Sequence, residues 1–574
     1  MFRAWVVIAG ILLGSVIPTS AWPASDRRGG GVTADQHPDL ILRSGKIISL
    51  DPKNDVYAAM AVRDGRVLAL GSDEKILRLK SPKTRVIDLR GRTVIPGLID
   101  SHNHPTSQGM KLYWADLSRP NSIAGIVALI DAQVRAAKPG EWVRNSGIWN
   151  DSKLQDRRNP TRFDLDPVSP DNPVFLDRGH MAVVNSKAFA LLGITKDTPD
   201  PPGGTFEKDA RTGELTGRLF EKAIDPVKAR VPAATAEQIE GAELAALNDY
   251  AAAGVTSVRS AGDSPEGMRG YIDLHNSGRL KLRVSVNILV NPNMPAADLE
   301  RMLREAPVSS GLGDDMLKVW GIKMIADGGS DLAYMRRHYV NRPDYFGQPG
   351  GTQENFTRAV RLCNRYGWRV GIHAVGDAAT DLVLDAFEAA NADQSIVGKR
   401  WAIEHGYFLH PEQIERIRKL GLTLNMQTWH LFNLRRNFVQ NYGREIADTA
   451  SPYQDLLRAG VPIAGGTDWT LEPGDNFKWL WVEITRKTLD GEIVGANQAL
   501  TREQALRFHT IWAAYNTFEE NVKGSLEPGK LADFVILSAD YMTVPVDDIP
   551  KIVPLMTVVG GNIVFARDAG AANP

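Results

Sequence analysis

The chain has 574 residues, 43% hydrophobic and 24% charged, enough for one large domain of barrel size and a smaller one. Its formal net charge is -1 and no basic tract or long like-charge block interrupts it, which argues against a nucleic-acid partner or an acidic surface. The single cysteine, Cys363, excludes an intrachain disulfide and reads as a packing residue in a helical-looking stretch.

The N-terminus, MFRAWVVIAGILLGSVIPTSA, carries an early Arg3, an apolar run over 4–17 and the small-residue pattern Thr19-Ser20-Ala21. That is the pattern of a secretory signal peptide cut after Ala21, and the apolar run is shorter than the roughly 20 residues a spanning helix needs. An exported protein, periplasmic or secreted, is therefore expected, with no stable membrane association once residues 1–21 are removed. Residues 22–38 read as a flexible lead-in. Residues 39–93 then alternate short β-rich pieces with Ser-Gly, Arg-Asp-Gly and Arg-Gly turns, and a similar β-rich stretch returns over 516–574. These two ends are expected to pair into one small composite β-sandwich around a long middle.

The middle, 94–515, has the rhythm of parallel βα units, with candidate strands at 94–101, 255–260, 282–288, 317–325, 369–373, 401–405, 422–426 and 462–466. Eight such strands predict an α/β fold, a (β/α)8 TIM-like barrel. The interval 105–253 is too long for one connection and reads as an insertion, with helices around an irregular, Pro- and Asp-rich centre.

In such barrels the strand C-termini line the active site. The first strand ends VIPGLIDSHNHP, and strand alternation puts His102 and His104 on one face, an arrangement that suits zinc and similar ions if further ligands converge. Strand five ends at His373, strand six at His405, and strand eight leads through Gly-Gly-Thr to Asp468. Any one of these has a plain explanation as hydrogen-bonded scaffold. Four strand ends each offering a metal-competent side chain do not. Lys323, in the fourth strand, has two readings: a stem snorkelling at the rim, or an amine held in a low-dielectric site.

Together the segments VIPGLIDSHNH, GIKMIADGG, GIHAVGDAATD, AIEHGYFL, GGTDW and GSLEPGKLADFVIL resemble the amidohydrolase superfamily. The resemblance is to the amidohydrolase-3, YtcJ-like group, which includes N-substituted formamide deformylase, and it runs over nearly the whole chain after the signal segment. It implies that His102, His104, His373 and His405 are metal ligands and that Asp468 both touches metal and handles a proton. It further implies a divalent metal, zinc, as one or two ions, with Lys323 at the position that carries a carboxylated, bridging lysine in binuclear relatives. His180, in the insertion, is a substrate-facing donor or a structural histidine. Glu404 adjoins His405, but strand alternation directs it away from that residue. Asp327 lines the pocket or caps a turn, and Trp149, Trp429 and Trp469 form an apolar substrate wall or belong to the core. His37, His275, His338, His410, His430 and His509 read as surface or packing residues. Thr467 replaces the frequent Ser, QTWH replaces the frequent Gln-Pro after strand seven, and Asp331 adds a charge, all of which bear on the substrate pocket.

The expected function is hydrolysis of carbon-nitrogen bonds in a small-molecule substrate, an amide, N-formyl or cyclic amide, by a metal-activated water. A homo-oligomer is compatible with this reading. Two alternatives stay open: the same site used for carbon-oxygen hydrolysis or isomerisation, and a non-catalytic, metal-free barrel that captures a ligand.

Overall fold

The apolar run 94–101, expected as one strand, is two strands serving two domains. The computed structural model describes residues 37–149, 154–179, 181–329, 332–468 and 475–567; the signal segment, the lead-in to residue 36, His180, Asp331 and Trp469 lie outside them. Thr93–Pro96 pairs with Lys46–Ile48 on one side and with Phe534–Leu537 on the other, so it belongs to the small domain. The backbone changes partners at Gly97, whose N–H still bonds Asp533, whereas the Leu98 N–H bonds Gly254 of the barrel.

Barrel strands are β1 (Leu98–Asn103), β2 (Val255–Asp263), β3 (Arg283–Leu289), β4 (Leu317–Ile325), β5 (Val370–Ala374), β6 (Ala402–His405), β7 (Thr423–Gln427) and β8 (Ile463–Gly466). Each pairs in parallel with the next, and every residue of β1, β6, β7 and β8 is buried, as a barrel sheathed in helices requires. The seam between β8 and β1 is held by the Asp468 N–H on the His102 carbonyl at 2.9 Å and by the Thr467 N–H on the Asp100 carboxylate at 3.0 Å. Gly466 makes this possible, because a Cβ there would lie 2.7 Å from the His102 nitrogen.

Helices between the strands start where side chains satisfy their free N–H groups: Ser264 caps Pro265–Asn276 and Thr352 caps Gln353–Arg365. Strands from both chain ends share one six-stranded sheet of the small domain, facing a four-stranded sheet built wholly from residues before 89. A buried, bidentate Arg283–Asp533 pair, at 2.7 and 2.8 Å, clamps β3 to that domain.

The insertion departs from expectation. Its centre is a six-stranded sheet running from Ala115–Asp116 to Gly204–Lys208, not an irregular segment. Most of these strands are two to five residues long, too short for alternation to emerge from the proline-rich background. No helix among the described residues is long and apolar enough to cross a membrane.

Candidate metal centre at the barrel mouth

His102 leaves β1 buried, and its position is set from behind. Its Nδ1 is 2.6 Å from Glu404 Oε2, while Glu404 Oε1 accepts from Arg259 Nη2 at 2.7 Å. Arg259 is stacked over the Trp320 ring at 3.8 Å and also donates to the Ser101 carbonyl. Burial raises the Glu404 pKa, but Arg259, His102 and Lys323 outweigh it and hold the carboxyl well below its usual range. An ionised carboxylate can only accept, so His102 Nδ1 carries the proton and Nε2 is left as a lone-pair donor facing Asp468 Oδ1 at 3.8 Å.

His405 repeats the arrangement with a neutral partner. Its Nδ1 is 2.5 Å from Gln427 Oε1, and the Gln427 amide nitrogen is turned to the Asn425 carbonyl, so His405 Nδ1 donates and Nε2 is again free to ligate. Burial, and after it Lys323 for His102 and His373 for His405, drive both imidazoles down, His102 to about 4 and His405 well below its ordinary value. Both are therefore neutral at physiological pH, the ligand form.

Donor atoms of His102, His405 and Asp468 lie within 4.8 Å of one another. His104 Nε2 is 3.2 Å from Asp468 Oδ1, and the His373 ring packs edge-on against His405 at 4.3 Å between centroids. Burial would raise Asp468, but the imidazoles of His102, His104 and His430 outweigh it and keep it ionised. His405 and Asp468 both have positive φ, 80° and 54°, a costly backbone state for non-glycine residues that turns their side chains into the mouth.

Lys323 is buried and its side chain makes no hydrogen bond or ion pair among the described residues, yet His102, His405, Glu404 and Asp468 all feel its charge or contribute to its surroundings. Burial, opposed by Glu404 and Asp468, brings its amine down to about 8. Together with His102, His104, His373, His405 and Asp468 it lines one cavity of about 1780 Å³ roofed by the insertion. His180 lies outside the described residues.

Three site residues escaped the sequence reading. Glu404 points inward to His102, the residue that His405 also packs against, because the positive φ of His405 breaks strand alternation at the last residue. His430 lines the cavity, with Nδ1 2.5 Å from the Tyr407 hydroxyl and Nε2 3.8 Å from Asp468 Oδ2. Its signal was its place three residues after Gln427, on the helix Thr428–Asn433 that starts where β7 ends. Arg259 was the third. Asp327 settles as scaffold: it accepts from the N–H groups of Tyr334, Val375 and Gly376 and touches His373 at 3.5 Å. Trp149 and Trp429 are both buried and both line the cavity.

This donor set, at the C-terminal end of a (β/α)8 barrel, matches what comparison with known proteins finds. The family model described as "Amidohydrolase family" matches residues 85–565. The chain belongs to the amidohydrolase family. YtcJ of Bacillus subtilis (strain 168) is 29% identical over 92% of this chain and 99% of its own length. N-substituted formamide deformylase of Arthrobacter pascens is 28% identical over 92% of this chain and 98% of its own. Among solved structures, an uncharacterized metal-dependent hydrolase from Pyrococcus furiosus superposes with a TM-score of 0.68 at 27% identity, covering 88% of this chain and 100% of that one. Family and donor set together support a hydrolase that depends on a divalent metal.

Proposed function

We propose that this amidohydrolase cleaves carbon-nitrogen bonds of small amides, N-formyl compounds among them, with a divalent metal, zinc by preference, held by His102, His405 and Asp468 and flanked by His104 and His373. The observation that carries the reading is the convergence of two neutral imidazole nitrogens and one ionised carboxylate inside 4.8 Å, each oriented by its own neighbours. Nitrogen and carboxylate donors of this kind fit zinc. Bound there, the ion supplies Lewis acidity, which activates water and polarises a carbonyl.

The chain's own residues do the rest. Asp468 takes the proton released by the attacking water and returns it to the departing nitrogen, a general acid-base role that requires it ionised at the start. His430 and Tyr407 form a hydrogen-bonded pair beside the far oxygen of Asp468 and restrict how that carboxylate turns. Lys323, whose amine has no hydrogen bond or ion pair among the described residues, would find its use as a carboxylated bridge to a second ion. Trp429, Phe438, Leu289 and Ile325 give the cavity an apolar lining, suited to a hydrophobic substituent beside the scissile bond. The signal-like segment over 1–21 makes export part of the same proposal.

Elemental metal analysis, paired with turnover of N-alkyl formamides and simple amides, tests this reading. About two ions, falling to one or none in Lys323→Ala, supports the bridged site; about one that survives Lys323→Ala means a mononuclear hydrolase. Absence of metal even after reconstitution defeats the hydrolytic reading in favour of a ligand-capturing barrel.

A further inference from the structure

The cavity that holds the metal donors measures about 1780 Å³, whereas a drug-sized ligand occupies about 300–1,000 Å³. A small formamide would leave most of that space empty, so the wall contributed by the insertion belongs to the substrate site as well. Arg144 and Trp114 are on that wall. Arg144 lies on the insertion strand Val143–Ser146, which pairs in parallel with Ala115–Asp116 and sets Asn145 opposite Ala115. That register brings Arg144 beside Trp114, and the guanidinium stacks on the indole at 3.8 Å. The same strand packs against the helix Pro105–Gly109, which begins at the residue after His104.

Trp114 and one hydrogen bond, from Arg144 Nη1 to the Pro232 carbonyl at 2.9 Å, hold the half-buried guanidinium in place. Its Nε and Nη2 have no hydrogen-bond partner, and it enters no ion pair, among the described residues. Two other charged residues of the lining are already matched. Glu207 Oε2 accepts from Arg218 Nε at 2.5 Å. Asp177, the carboxylate whose charge Arg144 feels, accepts from the Gly179 N–H at 2.8 Å and pairs with Lys228 at 3.0 Å. Burial lowers the Arg144 pKa and outweighs the support from Asp177. A guanidinium drawn out of water with its charge unanswered is unfavourable until an anion meets it.

We propose that the substrate is an amide bearing a carboxylate remote from the scissile bond, and that Arg144 receives this carboxylate on its Nε–Nη2 edge. The inference rests on the hydrolytic reading above and names its substrate class. With Nη1 committed to Pro232, the remaining edge offers two parallel N–H groups at the spacing of the two oxygens of a carboxylate. A stacked, pre-oriented guanidinium loses little freedom on binding, which suits it to specificity better than a lysine in the same place. Arg144 touches no reacting atom, so its part is to select and position the substrate.

The test uses the full metal-loaded protein and N-formyl derivatives of straight-chain ω-amino acids of graded length, each beside its neutral carboxamide. Formate release gives kcat/KM for both members of a pair, and the carboxamide is the internal reference. The wild type is expected to prefer the acid at the best length by about tenfold or more, the weight of a hydrogen bond to a charged group. Arg144→Met should bring the pair close to parity, with the loss in KM, as for an interaction made equally in ground and transition states. Arg144→Lys, which keeps the charge but not the planar fork, should recover part of the preference. Equal rates on acid and carboxamide in the wild type, or a preference that survives Arg144→Met, would overturn the proposal. If Arg144→Met does not fold, Arg144→Lys decides: a reduced preference supports the site and an unchanged one removes it. If no member of either series is turned over, the hydrolytic reading fails for these amides, and calorimetric binding of the same acids and carboxamides tests the carboxylate site by itself. Acid-selective binding lost in Arg144→Met supports it. Acid-selective binding that survives the variant puts the carboxylate on the metal and removes the site, as does equal binding or none.

Discussion

Two buried histidine–glutamate pairs stand on either side of the β1–β8 seam, and they behave in opposite ways. At the mouth, His102 Nδ1 meets Glu404 at 2.6 Å; beneath it, His509 Nε2 meets Glu483 at 2.8 Å. All four residues are fully or nearly fully buried. Yet His102 is driven down to about 4, whereas His509 is raised above its ordinary value. Burial pushes both imidazoles down, so burial does not decide. The neighbours do: Glu404 is shared with Arg259 and Lys323 stands close by, whereas Glu483 has no arginine or lysine in an ion pair among the described residues and Asp100 adds a second negative charge near His509. One carboxylate thus leaves a neutral imidazole with a free Nε2, and the other holds an imidazole whose affinity for its proton is raised and whose Nε2 is committed to its partner. The first is a ligand and the second is a clamp, for the His509 ring fills the space beside Gly465 in β8, and Glu483 also accepts from Thr428 at the start of the helix carrying His430.

The largest effect should fall on the group the mouth has and the clamp lacks. Asp468→Asn keeps size but removes the acceptor for the proton, and turnover is expected to drop about 10²–10⁴-fold, the usual contribution of a positioned acid-base group. Steady-state kinetics on a folded, metal-loaded variant checks it. A residual rate within about tenfold of wild type would shift the proton transfer to another residue. Next comes Glu404→Gln, which weakens the acceptor on His102 Nδ1 and strands Arg259. Metal affinity should fall about 10–100-fold, the range found when a ligand histidine loses its orienting carboxylate. Competition against a zinc chelator measures it. Unchanged affinity would reduce Glu404 to a partner of Arg259 alone.

The same contrast marks what could be read from the sequence. The barrel was legible because its strands are continuous apolar runs at regular intervals, and His102, His104, Lys323, His373, His405 and Asp468 all fall at or near strand ends, where one periodicity rule places them. Glu404 was missed because that rule fails at the last residue of β6, where φ becomes positive. His430 and His509 were set aside because their importance lies in partners 38 and 26 residues away, Asp468 and Glu483, which no local pattern announces. The insertion sheet was missed for a third reason: its strands are short, and their pairing, Val174–Asp177 parallel to Val143–Ser146 and antiparallel to Met181–Val184, is a tertiary fact.

Glu483→Gln turns the comparison around. The variant amide still accepts from Thr428 and His509 but carries no charge, so stability should fall by about 1–2 kcal/mol while zinc affinity stays within about threefold of wild type. A loss of zinc affinity equal to that of Glu404→Gln would erase the distinction between ligand and clamp. Denaturant unfolding alongside the chelator competition separates the two outcomes.

The smallest expected effect is in the pH dependence, and its sign discriminates between the pairs. His509 has a raised pKa in the folded protein, where burial is outweighed by Glu483 and Asp100, so its contribution is fully present below the unfolded value near 6.5 and fades as pH rises through the folded value. His102 has the opposite sign. With its folded value at about 4, the unfolded chain takes up a proton more readily, and stability is lost as pH falls from about 6.5 towards 4. Metal-free protein should therefore show two limbs in its melting temperature: an acid limb that Glu404→Gln alters and an alkaline limb that His509→Gln flattens. If His509→Gln instead changes the acid limb alone, the lower pair is neutral, and the mouth and the clamp differ in position but not in charge.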